Sequence, residues 1–404
     1  MDKPRFSGSF TQQQPIPEAG IAAAVEVMRS GRLHRYNLEA GESGEVALLE
    51  EEFAAFTGAR HCLAVASGGY AMGCALRALG VVPGEPVLSN AFTLAPVPGA
   101  IASVGARPVF VEVAEDLTID LAHLEAQARA TPEARVLLLS HMRGHSPDMD
   151  ALMDLSQALG LTVIEDCAHT MGATWAGVQS GRHGAIGCYS TQTYKHMNSG
   201  EGGLIVTDDA ELAARMILLS GSYMLYARNG TAPAPDVFAT LTHDMPNVSG
   251  RMDHLRAAIL RPQLARLSES CAAWTARYQA VERGLAGIPG LHLIDRPQAE
   301  GFVGSSFQFR LPGWDPAQIE GLVAACAARG VELKWFGADQ PKGFTSRYSH
   351  WGYADPPVLP QTDRVLAGLL DMRLPLTFSL DDCALIARII AEEVRQGSHG
   401  LAAE

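Results

Sequence analysis

The chain has no closely spaced cysteine pair, although seven cysteines are scattered along its 404 residues. Without a CxxC pattern, the sequence predicts neither a disulfide framework nor a zinc knuckle. Most of the cysteines stand in apolar runs, which is typical of small core residues. We therefore expect a reducing compartment, the cytoplasm. The cysteines are Cys62, Cys74, Cys167, Cys188, Cys271, Cys326 and Cys383.

Long apolar runs and blocks of like charge are also missing. No apolar stretch of the sequence is long enough to span a bilayer, and residues 1–8 lack the apolar core of a signal peptide. The formal net charge is -13, which disfavours nucleic acids and anionic membranes as partners. Charged residues make up 19% of the chain and hydrophobic residues 47%, as in globular proteins with a large core.

Short apolar runs alternate with helical patterns through the first half of the chain. Buried strands that alternate with helices predict an α/β fold with a mostly parallel, seven-stranded sheet. Ligands of such sheets bind beyond the carboxyl ends of the strands. The predicted helices include residues 17–30, 45–56, 70–79, 120–129 and 148–159. The predicted strands are Cys62–Ala66, Pro86–Ser89, Pro108–Val113, Val136–Ser140, Thr162–Glu165, Ile186–Tyr189 and Gly203–Thr207.

The second half of the chain has a different pattern. One long helical stretch is predicted from about Arg251 to Leu285, and a smaller C-terminal α+β domain follows it. We therefore predict a large domain, residues 1–255 with the N-terminal segment, and a small domain, residues 256–404 with the connecting helix. The predicted elements of the small domain are strand Phe302–Leu311, helix Pro316–Arg329, strand Val331–Phe336 and helix Asp381–Gln396.

Lys195 is framed by residues that together indicate a pyridoxal phosphate (PLP) site. Ser190 precedes it, Ser199-Gly-Glu-Gly-Gly203 follows it, and Val163-Ile-Glu-Asp166 is a predicted strand that ends in an acid. PLP needs a lysine amine for its aldehyde, an acid beside its pyridine nitrogen and donors for its phosphate. Lys195 would form the Schiff base, Asp166 would pair with the pyridine nitrogen, and Ser190 would hold the phosphate.

A glycine-rich segment, Ser67-Gly-Gly-Tyr70, lies between a predicted strand and a predicted helix. Its glycines would let Gly69 and Tyr70 present backbone amides to a phosphate. His169 follows Asp166 closely enough to lie against the ring or its O3′ atom. These residues complete the predicted PLP site in the large domain.

Each of these residues also has an ordinary structural interpretation. Lys195 alone would more often be a surface lysine, and Asp166 could be a helix N-cap. Ser67-Gly-Gly could be a simple turn, and His169 could be a core histidine. The combination of Lys195 with Ser190 and Asp166 favours the PLP site.

Two further histidines, His141 and His145, stand four residues apart, with Met-Arg-Gly between them. This spacing could suggest a metal site, but no third ligand is evident. We predict a structural role near the site for both histidines and no metal.

The order of these motifs resembles that of the DegT/DnrJ/StrS aminotransferases, a family of sugar and cyclitol aminotransferases. The resemblance extends over nearly the whole chain. Besides the segments around Asp166 and Lys195, it includes Ser30-Gly-Arg-Leu33, Leu49-Glu-Glu-Glu-Phe-Ala54, Val65-Ala-Ser-Gly68, Gly105-Ala-Arg-Pro-Val-Phe110, Asp148-Met-Asp150 and Gln263-Leu264.

The resemblance implies a fold type I PLP-dependent transferase that works as a homodimer with active sites at the subunit interface. It implies the roles already given for Lys195 and Asp166, a place for His169 by the ring, and a phosphate site made by Gly68, Gly69 and Ser190. The loop before Arg251 would reach the phosphate of the neighbouring subunit.

The chain departs from the family pattern at three positions. The family usually has Gly-Thr where this chain has Gly68-Gly69, so one phosphate hydroxyl is missing. At the position of the family's aromatic residue over the ring this chain has Leu94, with Phe92 two residues earlier, and either side chain is a candidate to cover the ring. The asparagine that the family has in the loop before Arg251 is Ser249 here, which leaves Asn247 as the candidate residue for the phosphate of the neighbouring subunit.

The resemblance implies a two-step amino transfer. An amino acid, glutamate or glutamine, would donate the amino group, and a keto sugar, cyclitol or related ketone would accept it. A bidentate arginine would suit the donor carboxylate, and the candidates are Arg35, Arg143, Arg228 and Arg251. Two alternatives stay open: a PLP-dependent lyase or racemase on the same scaffold, and a non-catalytic regulatory protein of the PLP fold.

Overall fold

The computed structural model describes residues 3–39, 41–222, 225–341 and 347–401. Strands and helices alternate through the first half of the chain, as the sequence predicts. The strands are β1 His61–Val65, β2 Pro86–Asn90, β3 Arg107–Val111, β4 Val136–Ser140, β5 Thr162–Asp166, β6 Thr174–Trp175, β7 Val178–Gln179, β8 Ile186–Ser190, β9 Gly203–Thr207, β10 His292–Leu293, β11 Glu300–Gly301, β12 Ser306–Arg310, β13 Lys334–Trp335 and β14 Leu369–Arg373.

The helices cover both faces of the main sheet and most of the second half of the chain. They are α1 Glu18–Ser30, α2 Glu45–Thr57, α3 Gly68–Ala78, α4 Pro96–Ser103, α5 Leu121–Ala130, α6 Met149–Ala158, α7 Ala210–Leu219, α8 Pro235–Ala239, α9 His254–Leu264, α10 Leu267–Leu285, α11 Pro316–Ala328, α12 Pro360–Ala367 and α13 Leu380–Leu401. Among the described helices, none combines the length and apolar character that crossing a bilayer requires.

The predicted seven-stranded sheet is confirmed. Its order is β1-β9-β8-β5-β4-β2-β3. Strands β8, β5, β4, β2 and β3 run parallel, and β9 runs antiparallel to both β8 and β1. Buried apolar side chains fill the strands because helices cover both faces of the sheet.

One edge of this sheet gathers the candidate site residues. Ser140, Asp166 and Ser190 are the last residues of β4, β5 and β8, and Ser140 is the register partner of Asp166. Strand β1 points the same way as β8, since both pair antiparallel with β9. Helix α3 therefore begins at this edge, with Gly68 as its first residue.

A second, four-stranded sheet with the order β10-β12-β14-β13 builds the small-domain layer. Its strands are antiparallel, and α10, α11 and α13 pack around it. The segment before α1 also packs here, because Phe6 and Phe10 make edge contacts with Phe378 at 4.9 and 5.0 Å. The boundary at residue 255 between the two predicted domains stays a prediction.

Two predicted elements differ in the structure. The single helix predicted from Arg251 to Leu285 is two helices, α9 and α10, because α9 packs on α1 and α2 whereas α10 packs on α13. The strand predicted over Val331–Phe336 is only the two-residue β13, which pairs with one side of β14. Strand β14 and helix α12 were not predicted.

Candidate functional site

A cavity of about 500 Å³ opens at the carboxyl edge of the main sheet. The start of α3, the ends of β4, β5 and β8 and the loop around Lys195 form its walls. The cavity therefore lies where an α/β sheet places its ligands. The predicted site residues on its wall are Gly68, Gly69, Asp166, His169, Ser190 and Lys195.

Lys195 lies in the turn after β8, and its amine is enclosed. Its Nζ atom lies 2.9 Å from Nε2 of His169, so the two predicted site residues are in hydrogen-bond contact. Burial lowers the pKa of Lys195 to about 7, helped by the charges of Arg143 and Arg373, although Asp166 raises it. A large share of this lysine is therefore neutral near pH 7 and able to act as a nucleophile.

His169 is buried beside this amine. Burial first, and then the charge of Lys195, lower the pKa of His169 well below its ordinary value. The imidazole therefore stays neutral at pH 7, and its Nε2 can accept a hydrogen bond from the ammonium form of Lys195. The contact with Lys195 favours a role in the site over the alternative, open from the sequence, that His169 is an ordinary core histidine.

Asp166 presents a buried carboxylate at the end of β5. Its Oδ2 accepts a hydrogen bond from the Ser140 hydroxyl at 2.9 Å, and its Oδ1 accepts one from the Ala168 amide at 3.1 Å. No helix begins directly after Asp166 in this described stretch, so it is not a helix N-cap. The two bonds fix the carboxylate on the cavity wall.

The start of α3 and the end of β8 touch each other. Ser67 caps α3, and its Oγ accepts the amide of Tyr70 at 3.1 Å. This bond occupies the Tyr70 amide predicted for the phosphate, whereas Gly68 and Gly69 stand in the first helical turn, where amides lack intrahelical partners. A Cβ atom on Gly68 would lie only 2.8 Å from Cβ of Ser190, so glycine is needed there.

The side chain of Tyr70 points away from the predicted phosphate position. Its hydroxyl donates to the carbonyl oxygen of Val248 at 2.5 Å. Asn247, in the same loop before Arg251, is exposed and is not part of the cavity wall of this subunit. Its predicted role toward a neighbouring subunit stays a prediction.

Of the two candidates for the residue over the ring, Leu94 lies on the cavity wall and Phe92 does not. Phe92 is fully buried and packs edge-on against Phe336, with the ring centroids 5.1 Å apart. Leu94, two residues later, faces the open space. The geometry therefore favours Leu94 over Phe92 as the side chain nearest the ligand.

The four candidate arginines lie in different surroundings. Arg35 is buried in a bidentate ion pair with Glu50, at 2.9 Å for both contacts. Arg228 is exposed, and Arg251 donates to the carbonyl oxygen of Gly221. Arg143 acts on Lys195 through its charge, as does Arg373, which the sequence did not single out.

His141 and His145 are both buried and hydrogen bonded. His141 lies 3.0 Å from Glu165, and His145 lies 2.8 Å from Gln308. The described residues include one group with metal-ligand spacing, His141, Glu165 and Cys167. Burial raises the pKa of the Cys167 thiol, and Glu165 already accepts three backbone amides, so this group is a hydrogen-bonded part of the core.

Comparison with known proteins agrees with this geometry. The sequence profile of the DegT/DnrJ/EryC1/StrS aminotransferase family matches residues 16–391. The chain belongs to this family. The family is PLP-dependent, and the resemblance predicted from the motifs is confirmed.

Curated relatives include sugar aminotransferases and one synthase. The chain is 35% identical over 280 residues to a dTDP-3-amino-3,4,6-trideoxy-alpha-D-glucose transaminase of Streptomyces venezuelae, covering 67% of this chain and 66% of that protein. It is 35% identical over 247 residues to the 3-amino-5-hydroxybenzoate synthase of Amycolatopsis mediterranei, covering 61% of each. The matched stretch thus spans less than two thirds of both relatives.

Solved structures match over nearly the whole length. A 3-amino-5-hydroxybenzoic acid synthase superposes with a TM-score of 0.80 at 26% identity, covering 98% of this chain and all of the other. S. venezuelae DesV, in complex with a ketimine intermediate, superposes with a TM-score of 0.78 at 28% identity, covering 96% and 98%. The expected fold class is confirmed.

Proposed function

We propose that the chain is a PLP-dependent aminotransferase. It would move an amino group from an amino acid, glutamate or glutamine, to a keto sugar, cyclitol or related ketone. One observation carries the proposal: the enclosed amine of Lys195 contacts His169 in a cavity that also exposes the carboxylate of Asp166. Membership of an aminotransferase family and the sugar transaminase among the relatives support it.

The residues on the cavity wall fit PLP. Gly68 and Ser190 meet so closely that a Cβ on Gly68 would displace the strand end, and Gly69 leaves open space beside them. Gly68, Gly69 and Ser190 would hold the phosphate, and Asp166 would pair with the pyridine nitrogen. When bound, PLP supplies an electron sink for the reacting carbon.

The residues of this chain then have distinct tasks. Lys195, neutral in large part near pH 7, would hold the aldehyde and later carry a proton to and from the reacting carbon. His169 would orient the amine of Lys195 through their 2.9 Å contact. Ser140 and the Ala168 amide would keep the carboxylate of Asp166 in place.

The proposal includes a cytoplasmic homodimer with shared active sites. The exposed loop that carries Asn247 is held to the start of α3 by the bond between Tyr70 and Val248. This bond links the loop to the predicted phosphate site and leaves the side chain of Asn247 exposed for a neighbouring subunit. The seven cysteines are free thiols, which agrees with a reducing compartment.

A second candidate function follows from one relative. The 3-amino-5-hydroxybenzoate synthase is named for its product and not as a transaminase. The same site could therefore catalyse another PLP-dependent reaction, such as a lyase reaction, in which no amino group remains on the cofactor.

Replacing Lys195 with alanine tests the enzyme proposal. The Lys195→Ala variant should lose turnover with every amino donor, because Lys195 is the only lysine among the described residues on the wall of this cavity. Lys3→Ala is the matched control. The Lys3 ammonium pairs with Glu393 near the other end of the chain, at 3.0 Å, so this variant should keep full activity. Unchanged turnover in Lys195→Ala would sink the proposal.

A further inference from the structure

A second cavity, of about 230 Å³, lies between the main sheet and the small-domain sheet. Four of the charged residues on its wall are Arg143 from the loop after β4, Lys334 from β13, and Asp371 and Arg373 from β14. We call these four residues the cationic pocket. Of the four, the sequence singles out only Arg143, as one candidate for the donor carboxylate, and the proposed reaction gives no task to Lys334, Asp371 or Arg373.

The cationic pocket lies beside Lys195. Arg143 directly follows Met142, which is on the wall of the main cavity. The guanidinium carbon of Arg373 lies 3.8 Å from the ring centroid of Tyr194, the residue before Lys195. The charges of both arginines reach the amine, since both lower the pKa of Lys195.

Arg143 adopts a backbone conformation that is uncommon for its residue type. Its φ and ψ are 57° and 21°, in the left-handed region, and Gly144 after it also has a positive φ. Residues other than glycine hold this conformation mostly where the surroundings impose it, often at functional sites. The conformation places a charged side chain, only 9% exposed, inside the protein.

The hydrogen bonds of Arg143 are incomplete. Its Nη2 lies 2.7 Å from Oδ2 of Asp371, whose other oxygen accepts Gln308 at 2.7 Å. The buried Nε of Arg143 has no partner among the described residues. A buried guanidinium N–H without an acceptor is costly, so a ligand oxygen would stabilise it.

Lys334 and Arg373 add two more positive charges. No carboxylate among the described residues forms an ion pair with either of them, and each instead lies against an aromatic ring, Phe336 at 4.6 Å for Lys334. The wall also includes the exposed Glu332. Three cations and two carboxylates leave a single positive charge in excess, which suits one monoanionic group better than a diphosphate.

We propose that the cationic pocket binds a carboxylate group of a substrate whose reacting carbon lies at Lys195. This inference rests on the proposed function for the reaction, but the binding of the carboxylate does not depend on turnover. The carboxylate belongs either to the amino donor or to the acceptor. Arg143 and Arg373 are then residues that determine which substrates bind.

Binding of glutarate, a dicarboxylate without an amine, tests the pocket on the PLP-loaded protein by isothermal titration calorimetry. Glutarate should bind to the unaltered protein. It should bind about tenfold more weakly to Arg373→Gln, because that variant loses one charge-assisted contact. The double variant Arg143→Gln/Asp371→Asn should show a similar loss, without leaving Asp371 as an unpaired charge. Arg215→Gln is the control, because Arg215 pairs with Glu211 on the surface of α7.

Three results would overturn the inference. One is no glutarate binding to the unaltered protein, and another is equal affinity in Arg373→Gln, the double variant and the control. The third is tighter binding of pyrophosphate than of glutarate through the same residues. Calorimetry decides among these results even if the protein catalyses no amino transfer.

The donor half of the reaction identifies the source of the carboxylate. If the carboxylate belongs to the donor, Arg373→Gln should require about tenfold more glutamate or glutamine to reach half the maximal single-turnover rate. If it belongs to the acceptor, that concentration should not change, although Arg373→Gln binds glutarate more weakly. A protein that reacts with no donor would contradict the proposed function, and glutarate binding would still test the pocket.

Discussion

Replacing Gly68 with alanine should weaken PLP binding far more than replacing Gly69. A Cβ at Gly68 would lie 2.8 Å from Cβ, 3.3 Å from Oγ and 3.4 Å from Cα of Ser190. Rotation of the Ser190 side chain moves its Oγ atom but not its Cβ atom, so rotation cannot relieve the 2.8 Å contact. The end of β8, which carries Ser190 and leads to Lys195, has to move.

The structure sets the size of this effect. Carbon atoms pack best at about 3.5–4.0 Å, so the end of β8 would shift by several tenths of an ångström. Such overpacking costs about 1–3 kcal/mol, which corresponds to roughly fivefold to 150-fold weaker binding if it falls on the phosphate site. A Cβ at Gly69 has Pro96 as its nearest neighbour, at 3.9 Å, an ordinary contact.

The comparison is made in a Lys195→Ala background, where PLP binds without a covalent bond. The apoprotein is titrated with PLP, and the bound fraction is followed by visible absorption. Thermal unfolding of each variant verifies that it is folded. Gly69→Ala should bind PLP within about twofold of the parent protein. Equal affinity in Gly68→Ala and Gly69→Ala would refute the predicted phosphate site.

Two other predictions concern charged groups. The apoprotein should capture PLP faster as the pH rises, with a midpoint near pH 7, because the neutral amine of Lys195 is the nucleophile and its pKa is about 7. Stopped-flow absorption measures the rate of capture at each pH. A midpoint near pH 10 would contradict this prediction. Arg35→Met should lower the free energy of unfolding by about 3–5 kcal/mol, because the fully buried Glu50 loses its only ion pair among the described residues. In urea unfolding, Arg215→Met should change stability by less than about 1 kcal/mol, and an equal effect of the two variants would be inconsistent with this reasoning.

The main sheet was predictable because its strands are continuous apolar runs that end in polar residues. Asp166 and Ser190 directly follow such runs, so the sequence placed them at one edge before any contact was known. Lys195 lies within five residues of Ser190, and local spacing was enough to assign it to the same site.

The cationic pocket was not predictable in the same way. Arg143 and Asp371 are more than half the chain apart, and only the packing of the two sheets brings them within 2.7 Å. Strand β14 contains Asp371 and Arg373 within five residues. These two charges interrupt the apolar run by which the other buried strands were predicted. The sequence left both Phe92 and Leu94 open, and only the structure shows that Phe92 packs against Phe336 whereas Leu94 lies on the cavity wall.

The break between α9 and α10 has a similar cause. Apolar residues recur at helical spacing across Ala265 and Arg266, so the sequence pattern predicts a single helix. The break follows from the different packing partners of the two helices, which the periodicity does not encode.

The visible absorption spectrum of the PLP-loaded protein during titration with amino donors tests the central claim most directly. We predict that glutamate or glutamine converts the visible band to that of the aminated cofactor, and that a keto acceptor restores it. Lys195→Ala should show neither change. A visible band that no donor converts would contradict amino transfer and would favour a lyase, racemase or non-catalytic role.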